Sequence, residues 1–331
     1  MKLLSLTKVF GNGEHNAFTG LAEFRGAYHL AFRSGETHGS EGGCQIRLTS
    51  TNARDWTFCQ KTAFPSPPDL PPGTPMDLRD NYFLNLESEL RIYSFVLSPL
   101  GPNDAYLRPT TSTVQVSSDG VRWSPPREIH SGAVLWKPIF WEGSFWCAGY
   151  RRIPGKGLTV ELYTSEDGFR WSRRCPIATG NETVLDPRPG GVLRAYIRTQ
   201  DAPHHLEIWE SDSPYEHWRK STTVPKIIQS PHLMQAAGHT YLFGREIPSH
   251  VSSKQPHLSR AKIWLVEGTG LHEVLELPSL GDTSYFGTVV QTEGTILASY
   301  YSQHERETTA PLETRGGNEK PADIFLAKLQ P

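Results

Sequence analysis

A seven-residue turn sequence that recurs along the chain is the feature that most constrains its fold. Residues 117–123 read SSDGVRW and residues 165–171 read SEDGFRW, so both have the form S-x-D-G-x-x-W. A weaker copy occupies 50–56 (STNARDW), and a degenerate copy, one residue longer, occupies 211–218 (SDSPYEHW). The closing tryptophans stand at positions 56, 123, 171 and 218, at intervals of 67, 48 and 47 residues. Copies at such similar intervals predict a repeated structural unit.

The residue types in this motif are those of a tight turn that ends in an anchor. Aspartate or asparagine at the third position accepts hydrogen bonds from backbone N–H groups of its own turn, and glycine at the fourth adopts positive φ without steric cost. The closing tryptophan offers a large apolar surface that packs between neighbouring units. We therefore assign Asp119 and Asp167 to turns and not to a functional site.

Six short runs rich in aliphatic and aromatic residues also recur along the chain. They occupy 28–32, 90–95, 145–150, 192–197, 240–244 and 295–301. The chain has 29 Gly and 26 Pro in 331 residues, a composition that favours short strands joined by turns over long helices. Six units correspond to about 55 residues each, the length of a four-stranded propeller blade. The sequence therefore predicts an all-β fold, a six-bladed β-propeller of four-stranded antiparallel blades.

Both ends of the chain have the pattern of strands, which predicts how the ring closes. Residues 3–10 supply a first strand and 324–329 a last one. Pairing these two strands in the last blade removes the open edges of the ring. Residues 1–331 then form a single propeller domain. The proline-rich stretch 65–72 becomes a loop between blades, and its length explains the 67-residue interval.

Charge and composition exclude several functional classes. The chain carries 33 Lys and Arg against 35 Asp and Glu, a formal charge of -2, which argues against partners such as nucleic acid or a membrane surface. No apolar run approaches the roughly 20 residues that span a bilayer.

The first eight residues are too poor in apolar side chains for a signal peptide. We therefore expect a cytoplasmic protein, although a trimmed secreted chain has the same pattern. Four cysteines without CxxC spacing predict buried free thiols, and no spacing predicts a metal or another cofactor.

The S-x-D-G-x-x-W turns resemble the Asp-box of sialidases and related glycan-active propellers. The stretch from Glu182 to Arg198 resembles the sialidase segment in which a glutamate opens a blade and an arginine follows its inner strand. The run 281–285 resembles the place where sialidases keep their nucleophilic tyrosine. The resemblance implies that Tyr285 is a nucleophile and that Glu182 is its base.

Two departures from the sialidase pattern point to another substrate. His15-Asn16-Ala17-Phe18 stands where sialidases carry a Phe-Arg-Ile-Pro motif whose arginine holds the sialic acid carboxylate. The acid/base aspartate is also missing, and the corresponding stretch offers His38 and Glu36 as catalytic candidates. These features are similar, more loosely, to propeller enzymes that release terminal rhamnose from glucuronate, in which a histidine handles the proton. We therefore expect an enzyme that is not a true sialidase.

Ionisable residues cluster around the predicted inner strands, where propeller loops build a pocket at the central channel. Buried charges are costly unless partners or substrates satisfy them, so such a cluster indicates a binding site. Blade two, for example, offers Asp77, Arg79 and Asp80. The predicted substrate-binding residues are His15, Asn16, Arg33, Arg79, Lys137, Arg151, Arg198, His232, Arg245, Asp282 and His304.

Three functions remain open from the sequence. The first is exo-acting hydrolysis of a glycan at a terminal sugar that is acidic or linked to a uronate, in which arginines clamp a carboxylate and His38 or Glu36 protonates the leaving group. The second is β-elimination at a uronic acid, in which a histidine or tyrosine removes the α-proton. The third is a propeller that binds glycan or protein without catalysis.

Overall fold

Six antiparallel sheets of four strands each follow one another along the chain in a computed structural model. The structure describes residues 1–66, 68, 70–98, 110–200, 204–248, 258–306, 309–311 and 314–331. Consecutive strands of one sheet pair as a meander, and the innermost strands of adjacent sheets pack against each other around a common axis. The predicted six-bladed β-propeller is therefore confirmed.

The strands of the blades, from the axis outwards, have the following bounds. Blade one contains β2 (His15–Phe24), β3 (Ala27–Gly35), β4 (Cys44–Ser50) and β5 (Thr57–Thr62), and blade two contains β6 (Asp77–Asn85), β7 (Leu90–Leu97), β8 (Thr110–Ser117) and β9 (Arg127–Ser131). Blade three contains β10 (Ile139–Trp141), β11 (Ser144–Ile153), β12 (Gly157–Ser165) and β13 (Ser172–Thr179), and blade four contains β14 (Asn181–Arg188), β15 (Val192–Arg198), β16 (Leu206–Asp212) and β17 (Arg219–Val224). Blade five contains β18 (Ile227–Ala236), β19 (His239–Ile247), β20 (Arg260–Glu267) and β21 (Gly270–Leu277), and blade six contains β22 (Ser284–Val290), β23 (Ile296–Ser302), β24 (Asp323–Gln330) and β1 (Lys2–Phe10).

The ring closes in blade six, as the sequence predicts. Strand β1 pairs antiparallel with β24, with Lys2 opposite Gln330 and Thr7 opposite Leu326. The proline-rich loop joins β5 of blade one to β6 of blade two; Pro67 and Asp69 within it lie outside the described residues. Among the cysteines, Cys59 is exposed and corrects the expectation of buried thiols, whereas the other three are buried.

The S-x-D-G-x-x-W segments form the turns between the third and fourth strands of their blades. In blade two, Asp119 Oδ1 accepts hydrogen bonds from the backbone N–H groups of Val121 (2.8 Å) and Arg122 (2.7 Å), and Gly120 has φ +77°. Trp123 Nε1 donates to the Gly120 carbonyl at 3.1 Å, and the indole packs against a cluster shared by blades one and two. The turn around Asp167 repeats this geometry in blade three. The motif therefore fixes a turn and anchors one blade on the next.

A feature that the sequence does not predict occurs on the innermost strands, where β2, β6, β14, β18 and β22 each contain a β-bulge. A residue other than glycine adopts positive φ at each bulge, which costs of order 1–3 kcal/mol per residue and is typical of functional sites. We call these the axial bulge residues: Phe18, Asp80, Glu182, Ser230 and Tyr285.

Candidate functional site

A cavity of about 790 Å³ opens at one end of the propeller axis, and all six blades contribute to its wall. This volume lies within the range of pockets that hold small ligands. Three of the axial bulge residues, Asp80, Glu182 and Tyr285, line it. The bulges therefore place reactive side chains at the position where the blades converge.

Tyr285 and Glu182 form a close polar contact in the wall. The Tyr285 hydroxyl donates to Glu182 Oε1 at 2.6 Å, although the two residues are 103 positions apart in the chain. Arg198 Nη1 lies 2.6 Å from the same carboxylate oxygen, and the Ser230 backbone N–H donates to Oε2 at 2.8 Å. The carboxylate is thus held by three donors from three blades.

The protonation of this pair follows from its surroundings. Burial raises the pKa of Glu182, but Arg198, the Tyr285 hydroxyl and the Ser230 N–H outweigh burial and hold that pKa below its usual value. Burial and the negative charge of Glu182 raise the pKa of Tyr285 well above its usual value. The resting pair is a neutral phenol hydrogen-bonded to a carboxylate, an arrangement that can deliver a phenolate oxygen as its proton passes to Glu182.

A second cluster, centred on Asp282 of blade six, lies on the same wall. Asp282 Oδ2 accepts from His15 Nε2 at 2.9 Å and forms a short hydrogen bond with His38 Nδ1. Asp282 Oδ1 accepts from Arg245 Nη1 at 2.5 Å and from the Tyr301 hydroxyl at 2.9 Å. Burial lowers the pKa of His38 to about 4 despite the nearby carboxylate. A neutral His38 that donates through Nδ1 leaves the lone pair of Nε2 available as an acceptor.

Three ligand-type atoms of His15, His38 and Asp282 lie within 4.8 Å of one another, although no metal-binding spacing is visible in the sequence. Both Asp282 oxygens already accept hydrogen bonds, and one of them contacts the Arg245 cation. This donor set suits a hydrogen-bond network better than a metal ion, because a bound cation would face the guanidinium.

Asp80 of β6 also lines this wall, and it is not among the catalytic or substrate-binding residues predicted from the sequence. Its Oδ1 atom is buried without a hydrogen-bond partner among the described residues, and burial raises the pKa of its carboxyl group to about 7. Lys137, on the neighbouring blade, lines a smaller cavity together with Asp80 and Tyr285, and burial lowers its pKa to about 7. The only sequence signal for Asp80 is its place in the polar start of an inner strand.

The charge balance of the wall favours an anionic ligand. Among the described residues, five arginines line the cavity against three carboxylates: Arg79, Arg151, Arg152, Arg198 and Arg245 against Asp80, Glu182 and Asp282. Arg151 is also paired with Glu161, at 2.8 Å. Guanidinium groups recognise carboxylates through paired N–H donors, so a sugar acid matches this wall.

Several predicted site residues do not line the cavity. Arg33 is fully buried, and its guanidinium donates to Asp77 at 2.5 Å and to the carbonyls of Thr37 and Ser40 at 2.9 Å. Its donors are already used inside the fold, and this position does not favour the predicted contact with substrate. Glu36 is exposed beside the cavity and is absent from its wall, so its position does not match the predicted proton donor.

Four further predicted residues lie outside the cavity wall: His15, Asn16, His232 and His304. His15 is buried behind Asp282, and Asn16 donates to the Ala322 carbonyl at 3.0 Å. His232 is 3.3 Å from Lys137 Nζ and 2.7 Å from the Thr288 hydroxyl, beneath the wall. His304 packs on Phe325, with ring centroids 4.3 Å apart. None of these four side chains lines the cavity among the described residues.

Comparison with known proteins places the fold but not the activity. No protein-family model and no curated protein matches the chain. A Dyadobacter fermentans protein of unknown function superposes with a TM-score of 0.75 at 17% identity, covering 99% of this chain and 98% of that one. Trypanosoma rangeli sialidase in complex with sialic acid gives a TM-score of 0.71 at 11% identity, covering 99% of this chain and 57% of that one. A Bombyx mori GH32 beta-fructofuranosidase gives 0.55 at 14% identity, covering 98% and 63%.

The chain thus spans less than two thirds of the sialidase and fructofuranosidase chains that it matches. At these identities the likeness supports a sialidase-like propeller fold and does not identify the substrate. Among the residues that the structure describes, no helix has the length and hydropathy needed to cross a membrane.

Proposed function

We propose that the protein is a glycoside hydrolase that removes a terminal sugar which is acidic, or is linked to a uronate, and is not sialic acid. The contact of 2.6 Å between the Tyr285 hydroxyl and Glu182 carries the proposal. Structural neighbours with the same fold include a sialidase and a fructofuranosidase, both glycosidases. The absence of the Phe-Arg-Ile-Pro motif from the start of blade one supports a substrate other than sialic acid.

In this mechanism Tyr285 is the nucleophile. Its oxygen attacks the anomeric carbon while its proton passes to Glu182, forming a glycosyl-tyrosine intermediate that water then hydrolyses. A phenol is neutral until it reacts, so it approaches an anionic sugar without the repulsion that a carboxylate nucleophile would meet. Arg79 is placed to bind the sugar carboxylate, because it lines the cavity and is held over the Phe18 ring at 4.6 Å.

The first experiment tests the nucleophile. We expect Tyr285→Phe to lower kcat by at least about 10³-fold on a panel of aryl glycosides of sugar acids and of rhamnose, because the attacking atom is removed. Fluorinated aryl glycosides, which slow hydrolysis of the intermediate, are expected to label Tyr285 in intact-protein and peptide mass spectra. Tyr28→Phe is the matched control, because it also removes a tyrosine hydroxyl but at a position outside the cavity wall. The Tyr28 hydroxyl accepts a hydrogen bond from Gln291 Nε2 at 2.9 Å. Unchanged turnover in Tyr285→Phe would overturn the assignment.

β-Elimination is a second candidate, and one observation favours it. His38 has a pKa lowered to about 4 by burial and is oriented by Asp282, so a neutral imidazole faces a cavity rich in arginine. Such a base could remove the α-proton of a uronate whose carboxylate is neutralised by arginines. Product absorbance from a new C4–C5 double bond, without incorporation of oxygen from labelled water, identifies elimination. Incorporation of one labelled oxygen without that absorbance identifies hydrolysis.

A non-catalytic glycan-binding propeller predicts a third result. Glycan binding with no turnover of any glycoside, and no label on Tyr285, supports that function. Arg79→Gln is then expected to weaken binding while Tyr285→Phe leaves it unchanged, because only the charge contacts matter for binding.

A further inference from the structure

Hydrolysis needs a group that protonates the departing oxygen, and neither predicted donor is suited to this step. His38 is neutral and hydrogen-bonded through Nδ1, with a pKa lowered to about 4 by burial. Glu36 is exposed and does not line the cavity. An alkoxide is a poor leaving group, so glycoside hydrolysis requires an acid that protonates the departing oxygen. The acid must therefore come from another side chain of the wall.

Asp80 has the required position. It is the axial bulge residue of β6, with φ +52°, and it lines both the large cavity and the smaller one that Tyr285 and Lys137 share. Its Oδ1 atom is buried and accepts no hydrogen bond from the described residues. A buried carboxyl oxygen without a protein partner is costly unless it is protonated or contacts a ligand.

The groups around Asp80 explain its protonation. Burial is the largest influence and raises its pKa to about 7, Arg79 and Lys137 act in the opposite direction, and Glu182 and Asp77 raise it further. Two tyrosines of blade six interact with the same carboxyl group. The charged and titratable groups that interact with Asp80 include Asp77 and Arg79 of β6, Lys137 before β10, Glu182 of β14, Tyr285 of β22 and Tyr301 of β23.

The two carboxyl groups of the wall are thus shifted in opposite directions. Glu182 has a lowered pKa because Arg198 and two further donors outweigh burial, whereas Asp80 has a raised one because burial prevails. Environments that separate the pKa values of two neighbouring carboxyl groups are typical of a base paired with an acid.

We propose that Asp80 is the general acid and then the general base of this site, an assignment that rests on the proposed glycoside hydrolysis. In the first step the Tyr285 oxygen bonds to the anomeric carbon, the phenolic proton goes to Glu182, the glycosidic bond breaks, and Asp80 gives its proton to the leaving oxygen. In the second step the Asp80 carboxylate takes a proton from water, the water oxygen bonds to the anomeric carbon, and Tyr285 departs and recovers its proton from Glu182. One water is consumed and each residue returns to its starting state.

The test compares leaving groups in Asp80→Asn, which has the same shape as the native side chain. We expect a loss of about 10²–10⁴-fold in kcat/KM for alkyl glycosides, which need protonation. For dinitrophenyl glycosides, which depart without a proton, we expect a loss below about tenfold in the rate of the first step. Sodium azide is expected to restore turnover of the dinitrophenyl substrate, since this anion attacks the intermediate without a general base, and to yield a glycosyl azide. In wild type, kcat/KM is expected to decline as pH rises through about 7, because Asp80 loses its proton there. This decline is expected to be absent from Asp80→Asn.

The matched control is Asp186→Asn. Asp186 is also a buried aspartate on an innermost strand, with a pKa raised by burial, but it lies outside the cavity wall. We expect its kcat/KM to match wild type on both substrates. Thermal unfolding of each variant verifies that the fold is retained.

Each failure has a distinct signature. An equal loss on both classes of leaving group in a folded Asp80→Asn, with Tyr285 still labelled, overturns the Asp80 assignment and leaves the proposed function intact. A selective loss on alkyl glycosides in His38→Gln but not in Asp80→Asn transfers the role to His38. A wild-type protein that hydrolyses no glycoside and takes no label on Tyr285 overturns the proposed function and the Asp80 assignment with it.

Discussion

At the scale of single residues, Arg33 shows how burial decides what a charged side chain does. The sequence places an arginine at the end of an inner strand in blade one, where it resembles a carboxylate ligand. In the fold, all of its guanidinium nitrogens donate to Asp77 or to nearby loop carbonyls, and none is exposed. It therefore acts as a structural cation between blades one and two.

Removing this cation tests its structural role. We expect Arg33→Leu to lower the free energy of unfolding by about 3–5 kcal/mol. Asp77 would stay buried and, among the residues that the structure describes, would keep only the longer contact of 3.5 Å to Arg79. Chemical denaturation with matched m-values measures the change. Arg122→Ala is the control: Arg122 is 91% exposed in its side chain, and its contact with Asp119 is screened by water. Equal stability of the two variants would contradict a structural role for Arg33.

Arg198 provides a pH-dependent prediction. Glu182 must be ionised to accept the Tyr285 proton, and Arg198 is the main group that lowers its pKa. Arg198→Gln removes this attraction and raises that pKa, so activity is lost at a higher pH as the solution is acidified. We expect the acid limb of kcat/KM to move to higher pH and the basic limb to stay in place. An acid limb that does not move would show that Glu182 is not the group titrating there.

Arg188→Gln is a suitable comparison for this profile. Arg188 also ends a strand of blade four, the innermost strand β14, but it pairs with Asp186 at 3.4 Å and lies outside the cavity wall. We expect its pH profile to match wild type.

At the scale of elements, the turns and the innermost strands differ in how visible they are in the sequence. Each turn is encoded in seven consecutive residues, so Asp119 and Asp167 are recognised from local hydrogen-bonding chemistry alone. The bulges on the innermost strands have no such local code, because a phenylalanine, an aspartate, a glutamate, a serine and a tyrosine all adopt positive φ there. Neighbouring strands impose that conformation, and no intrinsic preference predicts it.

Alanine substitutions of two turn glycines distinguish the stability cost of a left-handed backbone from the cost of crowding by a neighbouring blade. Gly26 (φ +75°) has open space where a Cβ would lie, so Gly26→Ala is expected to cost about 1–2 kcal/mol from the left-handed backbone alone. Gly120 (φ +77°) would place a Cβ 2.8 Å from His29 Cε1 of the neighbouring blade, which is expected to add about 1–3 kcal/mol. Thermal and chemical unfolding measure both. The turn at 50–56 carries Ala53 at the corresponding position with φ +58°, so alanine can adopt this left-handed conformation in a turn of this type. Equal costs for Gly26→Ala and Gly120→Ala would contradict the packing of this turn on blade one.

At the scale of the whole molecule, the contact between β1 and β24 joins the two ends of the ring. Lys2 and Gln330 are cross-strand partners in this pairing, and such partners lie about 4.5–5.5 Å apart between Cα atoms, within the range of a disulfide. We expect Lys2→Cys/Gln330→Cys, in a Cys59→Ser background, to be about 2–4 kcal/mol more stable when oxidised than when reduced. The reduced form of the same protein is the control. Equal stability of both forms would indicate that the ring does not open at this blade during unfolding.

The fold was predictable and the site was predictable only in part. The repeat interval, the six apolar runs and the two terminal strands are properties of the chain that remain visible without its three-dimensional structure. The resemblance to sialidases selected Glu182 and Tyr285, which the structure brings to 2.6 Å. The sequence places the proton-donor candidates His38 and Glu36 in the loop after β3, whereas Asp80, whose buried Oδ1 atom has no hydrogen-bond partner among the described residues, lies on the next blade. Burial and neighbouring charges determine that difference, and neither is a property of local sequence.

Turn chemistry and apolar runs act within a few residues, so they predict the repeated short strands from the sequence. Which ionisable groups reach the cavity depends on the tertiary structure, since residues from six blades meet there across distances such as the 244 positions between His38 and Asp282. Distances of that kind, together with the exclusion of water, set the protonation of each group. A charged residue therefore acquires its role when the ring closes and its neighbours are fixed.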